Sequence, residues 1–392
     1  MHKPATISLS QCSQESKPVR RRHAPLHIAI RFLFFLLLPH HLPAAEAEAA
    51  PARSKVFYAM EESSLTPDRL PNTRVVARMV NNLLCALTGK PDPTAAWTSL
   101  VKKTDRVGIK VAASGGVVSG THPILVETLA RGLIAAGIPP SHIIVWDRNL
   151  ADLLAAGYSR NSPLYRLRWV DISTGYDKKA QVTAPVLGRL IWGDSAFGDR
   201  EGSRMEDLLQ GGDQLSDTSH YAKVLTQEVD KIINLPSLAD SFLTGVNGAV
   251  ANMTLPNLDN WRRFTRPPDH GDPYLAEIYA DAMIHDKVLF TLLDALVLQY
   301  AGGPFPNPGF LVDHHTLFAS RDPIAIDSTA VRLLNENRIL SRLPSLETMT
   351  RWLESASTIG LGNHREEDIE LIRIGARPEP PPGFQTLPPR TR

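Results

Sequence analysis

The chain has 392 residues, long enough for a large core or two lobes, with 43% hydrophobic and 21% charged residues. Its formal net charge is +1, and residues 1–49 hold six bases against three acids, so the remainder stands at −2 and lacks the broad basic field that nucleic-acid binding requires. With two cysteines, Cys12 and Cys85, neither a cysteine-ligated iron–sulfur cluster nor a four-cysteine zinc site is expected.

The N-terminus reads as a signal peptide over residues 1–49. Arg20-Arg21-Arg22 precede the apolar run Phe32 to Leu38, and Ala45-Glu46-Ala47 and Ala47-Glu48-Ala49 have the small-residue spacing of a cleavage site. The apolar run is far shorter than the ~20 residues of a spanning helix, so no transmembrane anchor is expected after cleavage. The expected location is extracytoplasmic, periplasmic or secreted. Cys12 leaves with the leader, and Cys85 falls on the apolar stripe of a helix as a small buried hydrophobe.

Lys55 to Ala59 is a short strand. Val76, Val80, Leu83, Leu84 and Leu87 recur at helical spacing, and Gly89 stops that helix. Arg106 to Val111 reads as a buried strand. The loop from Ala112 to Thr121 leads to Pro123 in the first turn of a helix with Leu125, Leu129, Leu133 and Ile134 on its apolar face. Ile143 to Trp146 is the next strand, closing on Asp147-Arg148, and a second helix carries Leu150, Leu153 and Leu154. This β–α–β unit makes the two strands parallel with a right-handed crossover.

Arg168 to Ile172 is a third strand, and residues 173–219 read as an irregular insertion. Val229 to Ile233 is a strand ending at Asn234-Leu235-Pro236. A helix opens at Asp272-Pro273, a strand from Lys287 to Leu293 ends at Asp294, and Phe310 to Ala319 contains another. Asp322-Pro323 opens a helix, residues 345–355 form one more, and Ile369 to Ile374 is a last strand. The tail at 377–392 is proline-rich. The expected fold is α/β, a mostly parallel sheet covered by helices on both faces, built as one domain over residues 50–376.

In such sheets ligands bind where strands end. Those ends bring together the glycine loop, Asp147-Arg148, Asn234 and Asp294. Ser114, Gly115, Gly116 and Thr121 have the makings of an anion cradle, or of a plain strand-to-helix turn. His122 and Arg148 would orient the anion. Asp147-Arg148 admits a second reading, a local ion pair capping the next helix. His270 with Asp147 or Asp294 would handle protons; a solvated loop histidine is the alternative for His270. In Asp313-His314-His315, strand alternation sends the histidines to opposite faces, against a shared metal ion. Metal and cofactor are not assigned by these residues.

Thr121-His122-Pro123, Ile143 to Arg148, Ile233-Asn234-Leu235-Pro236, Thr244 to Ala249, Gly271-Asp272-Pro273-Tyr274, Asp294, Gly302-Gly303-Pro304 and Ala319 to Asp327 occur in that order. Together they resemble the large bacterial and archaeal family called domain of unknown function 362, over about residues 105–335. Some members of that family carry ferredoxin-type clusters; this chain lacks the cysteines for them. Ala112 stands where the family pattern has Asn. Ala239-Asp240-Ser241 replaces Lys-Asp-His, and Ala251-Asn252 replaces Lys-Asn. Asn234, Asn252, His270 and Asp294 keep the pattern. The strand-end crevice points to an enzyme acting on a small anionic metabolite, with Asn234 and Asn252 among its binding groups; the departures from the family pattern leave a non-catalytic descendant that keeps the pocket as the alternative.

Overall fold

The computed structural model describes residues 53–171, 174–182 and 218–375. The expected leader, most of the insertion and the proline-rich tail lie outside those residues.

β1 (Ser54–Met60) leads to α1 (Thr73–Thr88), where the Asn72 side chain accepts the Val75 N–H and Gly89 ends the helix at φ +65°. Val76, Met79, Val80 and Leu83 form its buried stripe. α2 (Pro93–Leu100) starts on an Asp92 cap with proline in its first turn. β2 (Val107–Val111), α3 (Gly116–Ser119), α4 (Pro123–Ala135), β3 (Ile143–Asp147), α5 (Leu150–Ala155) and β4 (Arg166–Trp169) then build the expected parallel unit. The third strand lies earlier than the periodicity placed it, at 166–169 rather than 168–172.

Part of the expected irregular insertion is a strand, paired with another that lies just past the insertion. β5 (Tyr176–Gln181) and β6 (His220–Ala222) pair antiparallel as a separate two-stranded sheet. β7 (Lys231–Leu235), β8 (Ser237–Ser241), β9 (Gly245–Asn247) and α6 (Ala249–Thr254) follow. Then come α7 (Tyr274–Ala280), β10 (Val288–Gln299), β11 (Leu311–Ser320), α8 (Pro323–Leu340), α9 (Trp352–Thr358) and β12 (Ile369–Arg373). The helix expected at 345–355 is a short 3-10 turn at Glu347–Met349 followed by α9.

One ten-stranded sheet runs β12-β1-β11-β10-β7-β2-β3-β4, with β8 paired to β10 and β9 paired to β8. β10, β7, β2, β3 and β4 are mutually parallel, and β11 is antiparallel to both β10 and β1. The sheet is mixed and mostly parallel. α1, α2, α4 and α5 share one buried core, and α6 to α9 share the other. Central strands buried on both faces read as near-continuous apolar runs, and each fully buried Val, Ile or Leu contributes about 1.5–3 kcal/mol.

β10 corrects one expectation. It does not end at Asp294 but continues to Gln299, because past Pro236 the chain resumes as β8 and pairs with its second half. Asp294 nonetheless lies level with the end of β7, since its N–H donates to the Pro236 carbonyl at 2.8 Å.

Candidate functional site

Across β2, β7 and β10 the register aligns Lys110 with Asn234 and Asn234 with Thr291, a polar row in an apolar sheet. Lys110 and Asn234 are fully buried, and Asn252 comes down on them from α6. Lys110 Nζ donates to Val111 O at 2.6 Å, Asp147 Oδ1 at 2.7 Å and Asn252 Oδ1 at 3.0 Å. Asn252 Nδ2 donates to Asn234 Oδ1 at 2.8 Å, and Asn234 Nδ2 donates to Ala249 O at 2.8 Å and Thr291 Oγ1 at 3.2 Å. All three ammonium donors are used. Burial pushes the Lys110 pKa below its ordinary value, against the pull of Asp147.

Asp147 ties this row to the glycine loop. Its Oδ2 accepts the Ala113 N–H at 2.7 Å, and its Oδ1 also accepts the Arg148 N–H at 2.7 Å. Its side-chain ion pair is therefore with Lys110 and not with the neighbouring Arg148 guanidinium. The loop itself is a compact unit. Ala112 N–H donates to Thr121 Oγ1, Thr121 N–H donates to Ala112 O, and Thr121 Oγ1 donates to Leu235 O at 2.7 Å. Tyr158 OH donates to the Thr121 carbonyl at 2.8 Å. A Cβ at Gly115 would stand 2.3 Å from the Gly120 nitrogen, and Gly116 holds φ +63°.

The cradle reading is corrected in part by these bonds. The amides of Ala112, Ala113, Gly116, Ser119, Gly120, Thr121 and His122 all donate to protein acceptors. Ser114 and Val117 are exposed, and among the described residues the amides of Ser114, Gly115, Val117 and Val118 have no protein acceptor.

His122 and Asp294 form a second centre on the α4 side of the sheet. His122 caps α4 at 2% exposure, and Asp294 is 1% exposed. The imidazole Nδ1 lies 2.7 Å from Asp294 Oδ2, and the His122 backbone N–H donates to the same oxygen at 2.9 Å. A carboxylate only accepts, so Nδ1 carries the proton and Nε2 is the other, reactive end. Nε2 is buried with no hydrogen-bond partner. Burial alone would lower the His122 pKa, but the charge and hydrogen bond of Asp294 outweigh it and raise the value.

Two expected members stand apart. His270, at φ +49°, has its Nδ1 3.1 Å from the Phe242 carbonyl, beyond the end of β8, and makes no bond to the His122–Asp294 pair or the Lys110 row. The loop after β8 carries it away from the strand ends. Arg148 is partly buried, its guanidinium 5.5 Å from the Trp261 ring centroid. Between β3, which Arg148 follows, and β10, which holds Asp294, lie β2 and β7. Three strand spacings make roughly 14 Å. Among the described residues, no group of three or more His, Cys, Asp or Glu could hold a metal ion.

Lys110 and Tyr158 are the site residues that sequence reasoning missed. The signal for Lys110 was a lysine inside the five-residue apolar strand Val107–Val111, a charge that costs several kcal/mol to bury unless paired. Tyr158 had no such signal. A further histidine, His220, repeats the His122 construction, with backbone N–H and Nδ1 both 2.8 Å from the two oxygens of Asp259.

The model of a family described as a domain of unknown function, DUF362, matches residues 107–332, more than half of the chain. The chain belongs to the DUF362 family. The DUF362 match spans β2 to α8, and so includes the Lys110 row, the glycine loop and the His122–Asp294 pair. Among solved structures, a Thermotoga maritima protein is similar at 13% identity and a TM-score of 0.31, over 64% of this chain and 58% of that one. The lactate racemase apoprotein from Thermoanaerobacterium thermosaccharolyticum is similar at 10% identity and a TM-score of 0.33, over 71% and 56%. This DUF362 chain thus spans less than two thirds of either structure. No curated protein matches it.

Proposed function

We propose that this DUF362 protein is an enzyme that transfers a proton on a small anionic molecule at the carboxyl edge of the sheet. His122 is the acid–base group, Asp294 fixes its tautomer, and Asp147 acts as a positioning residue through Lys110 and the glycine loop. The observation that carries this reading is the buried, unpartnered Nε2 of a histidine whose other nitrogen is held by a carboxylate. At 2% exposure the imidazole meets substrate only after a local opening of the structure around it. Arg148, which follows β3 and makes no ion pair among the described residues, attracts the anion to this edge.

A non-catalytic binding protein is the second reading. It is favoured by Ala112, Ala239, Ser241 and Ala251 in place of polar family residues. Incubation in heavy water with panels of carboxylic and phosphorylated metabolites separates the two. Deuterium incorporation into one compound, lost in His122→Gln, is expected for the enzyme. Retention of a compound in native mass spectrometry by both proteins, with no exchange in either, would replace it with the binding reading.

We also propose export, with cleavage near Ala47 or Ala49, on the strength of the arginine-led apolar leader. The α/β body at 50–376 is proposed as one domain because a single sheet runs from β1 to β12. N-terminal sequencing of the protein from its own host tests the leader; an intact Met1 on the mature protein would refute it.

A further inference from the structure

We propose that an open groove at the carboxyl end of β4 is a separate binding site for a small oxyanion, either a phosphate ester or a carboxylate, held by Arg160 and Arg168 beside Trp169. The groove has a volume of about 440 Å³ and is lined by Arg160, Asn161, Leu167, Arg168 and Trp169. That volume falls within the range of about 300–1,000 Å³ usual for small-molecule sites. It lies at the same strand-end edge where α/β sheets take ligands, but at the outer strand.

The electrostatics of the groove are lopsided. Arg168 Nε donates to Glu228 Oε2 at 2.9 Å, and Arg166 reaches the same carboxylate at 3.8 Å. Arg160 makes no ion pair among the described residues. Arg166 and Arg168 therefore share one carboxylate, and the charge of Arg160 is left without a partner among the described residues. A fourth arginine, Arg148, leaves the chain close by, since its carbonyl accepts the Val170 N–H at 3.1 Å. Arg160 is not a loose surface chain, because its guanidinium stacks 5.1 Å from the Trp169 ring centroid. Stacking holds the planar fork, whose N–H groups have no hydrogen-bond partner among the described residues, in a geometry that receives two oxygens of a carboxylate or phosphate. The Lys110 row is the opposite case: its ammonium donors are filled, so it has little to offer a ligand without rearranging.

Isothermal titration calorimetry of the purified protein with inorganic phosphate, and separately with succinate, tests this at constant ionic strength set with sodium chloride. The expected result is saturable binding of at least one of the two, weakened about tenfold or more in Arg160→Ala. Arg160→Lys, which keeps the charge and loses the fork, should fall between. The deuterium-exchange assay reads the His122 centre independently of this titration, so failure here is distinct from failure of the proton-transfer reading. Preference for phosphate assigns the ester class; preference for succinate assigns the carboxylate class. Heat no greater than the chloride control, or equal binding by Arg160→Ala, overturns the site. Arg160 is exposed, and circular dichroism of the variant verifies its fold.

Discussion

His122 presents two donors to a single oxygen: its backbone N–H and its ring Nδ1–H both meet Asp294 Oδ2, at 2.9 and 2.7 Å. The carboxylate thereby holds both the start of α4 and the protonation state of the ring. A histidine whose folded pKa is raised adds stability that is complete below the unfolded value of about 6.5 and is lost as pH rises through the folded value. NMR titration of the His122 ring should place its midpoint above 6.5. In Asp294→Asn only burial remains, and the midpoint should drop below the ordinary value; a midpoint unmoved by that change would remove Asp294 as its cause.

Lys110 is the charge on which the polar row closes. Lys110→Met keeps the volume but leaves Asp147 buried without its cation, and the expected loss is about 3–5 kcal/mol in urea denaturation. Lys110→Met with Asp147→Asn should recover a large part of that loss, because the uncompensated charge is gone. Additive losses in the double variant would argue against a coupled pair.

Asp327 gives a second pH dependence. It is fully buried on α8 and accepts the Val250 N–H at 2.9 Å and the Ala249 N–H at 2.5 Å, both at the start of α6. Burial pushes its pKa up to about 7, the two N–H groups pull it down, and Asp322 adds to the rise. The folded state therefore holds this proton more tightly than the unfolded chain. Its contribution to stability is complete below about pH 4 and falls as pH rises toward 7. Thermal denaturation across that interval should show a decline that Asp327→Asn flattens.

Asp322 fastens three segments together. Its Oδ1 accepts the Ile324 and Ala325 N–H groups at 2.8 Å each, and its Oδ2 accepts the Asn363 N–H at 2.9 Å and the Ser54 hydroxyl. Asp322→Ala should cost about 2 kcal/mol, the upper end for loss of an N-cap, with the β1 end loosened as well. Hydrogen exchange should quicken at Ser54–Met60 and at the start of α8 together; a change confined to α8 would refute the bridging role.

The parallel unit was legible because its apolar residues fall at strand and helix periods with glycine stops between them. Strand direction was not, since an apolar run such as Leu317 to Ala319 reads the same in β11 whichever way it points. Asp294 was read as a strand end because a charge interrupts an apolar run; in fact His122 and two backbone groups satisfy it in mid-strand. The glycine loop was recognised as special, but which acceptors its amides would find depends on tertiary partners such as Asp147. His270 shows the limit of motif order: it keeps its place in the sequence pattern while the chain carries it to the Phe242 carbonyl.

The continuation of β8 beside the second half of β10 gives the sheet a step where a level edge would otherwise run. β8 and β9 stand on the β10 side of that step, while Arg148, Arg160, Arg166 and Arg168 lie toward β3 and β4. Trimming Ser237–Ser241 would lower the step, and because Ser237 is paired with Asp294 the change would be felt at the His122–Asp294 centre.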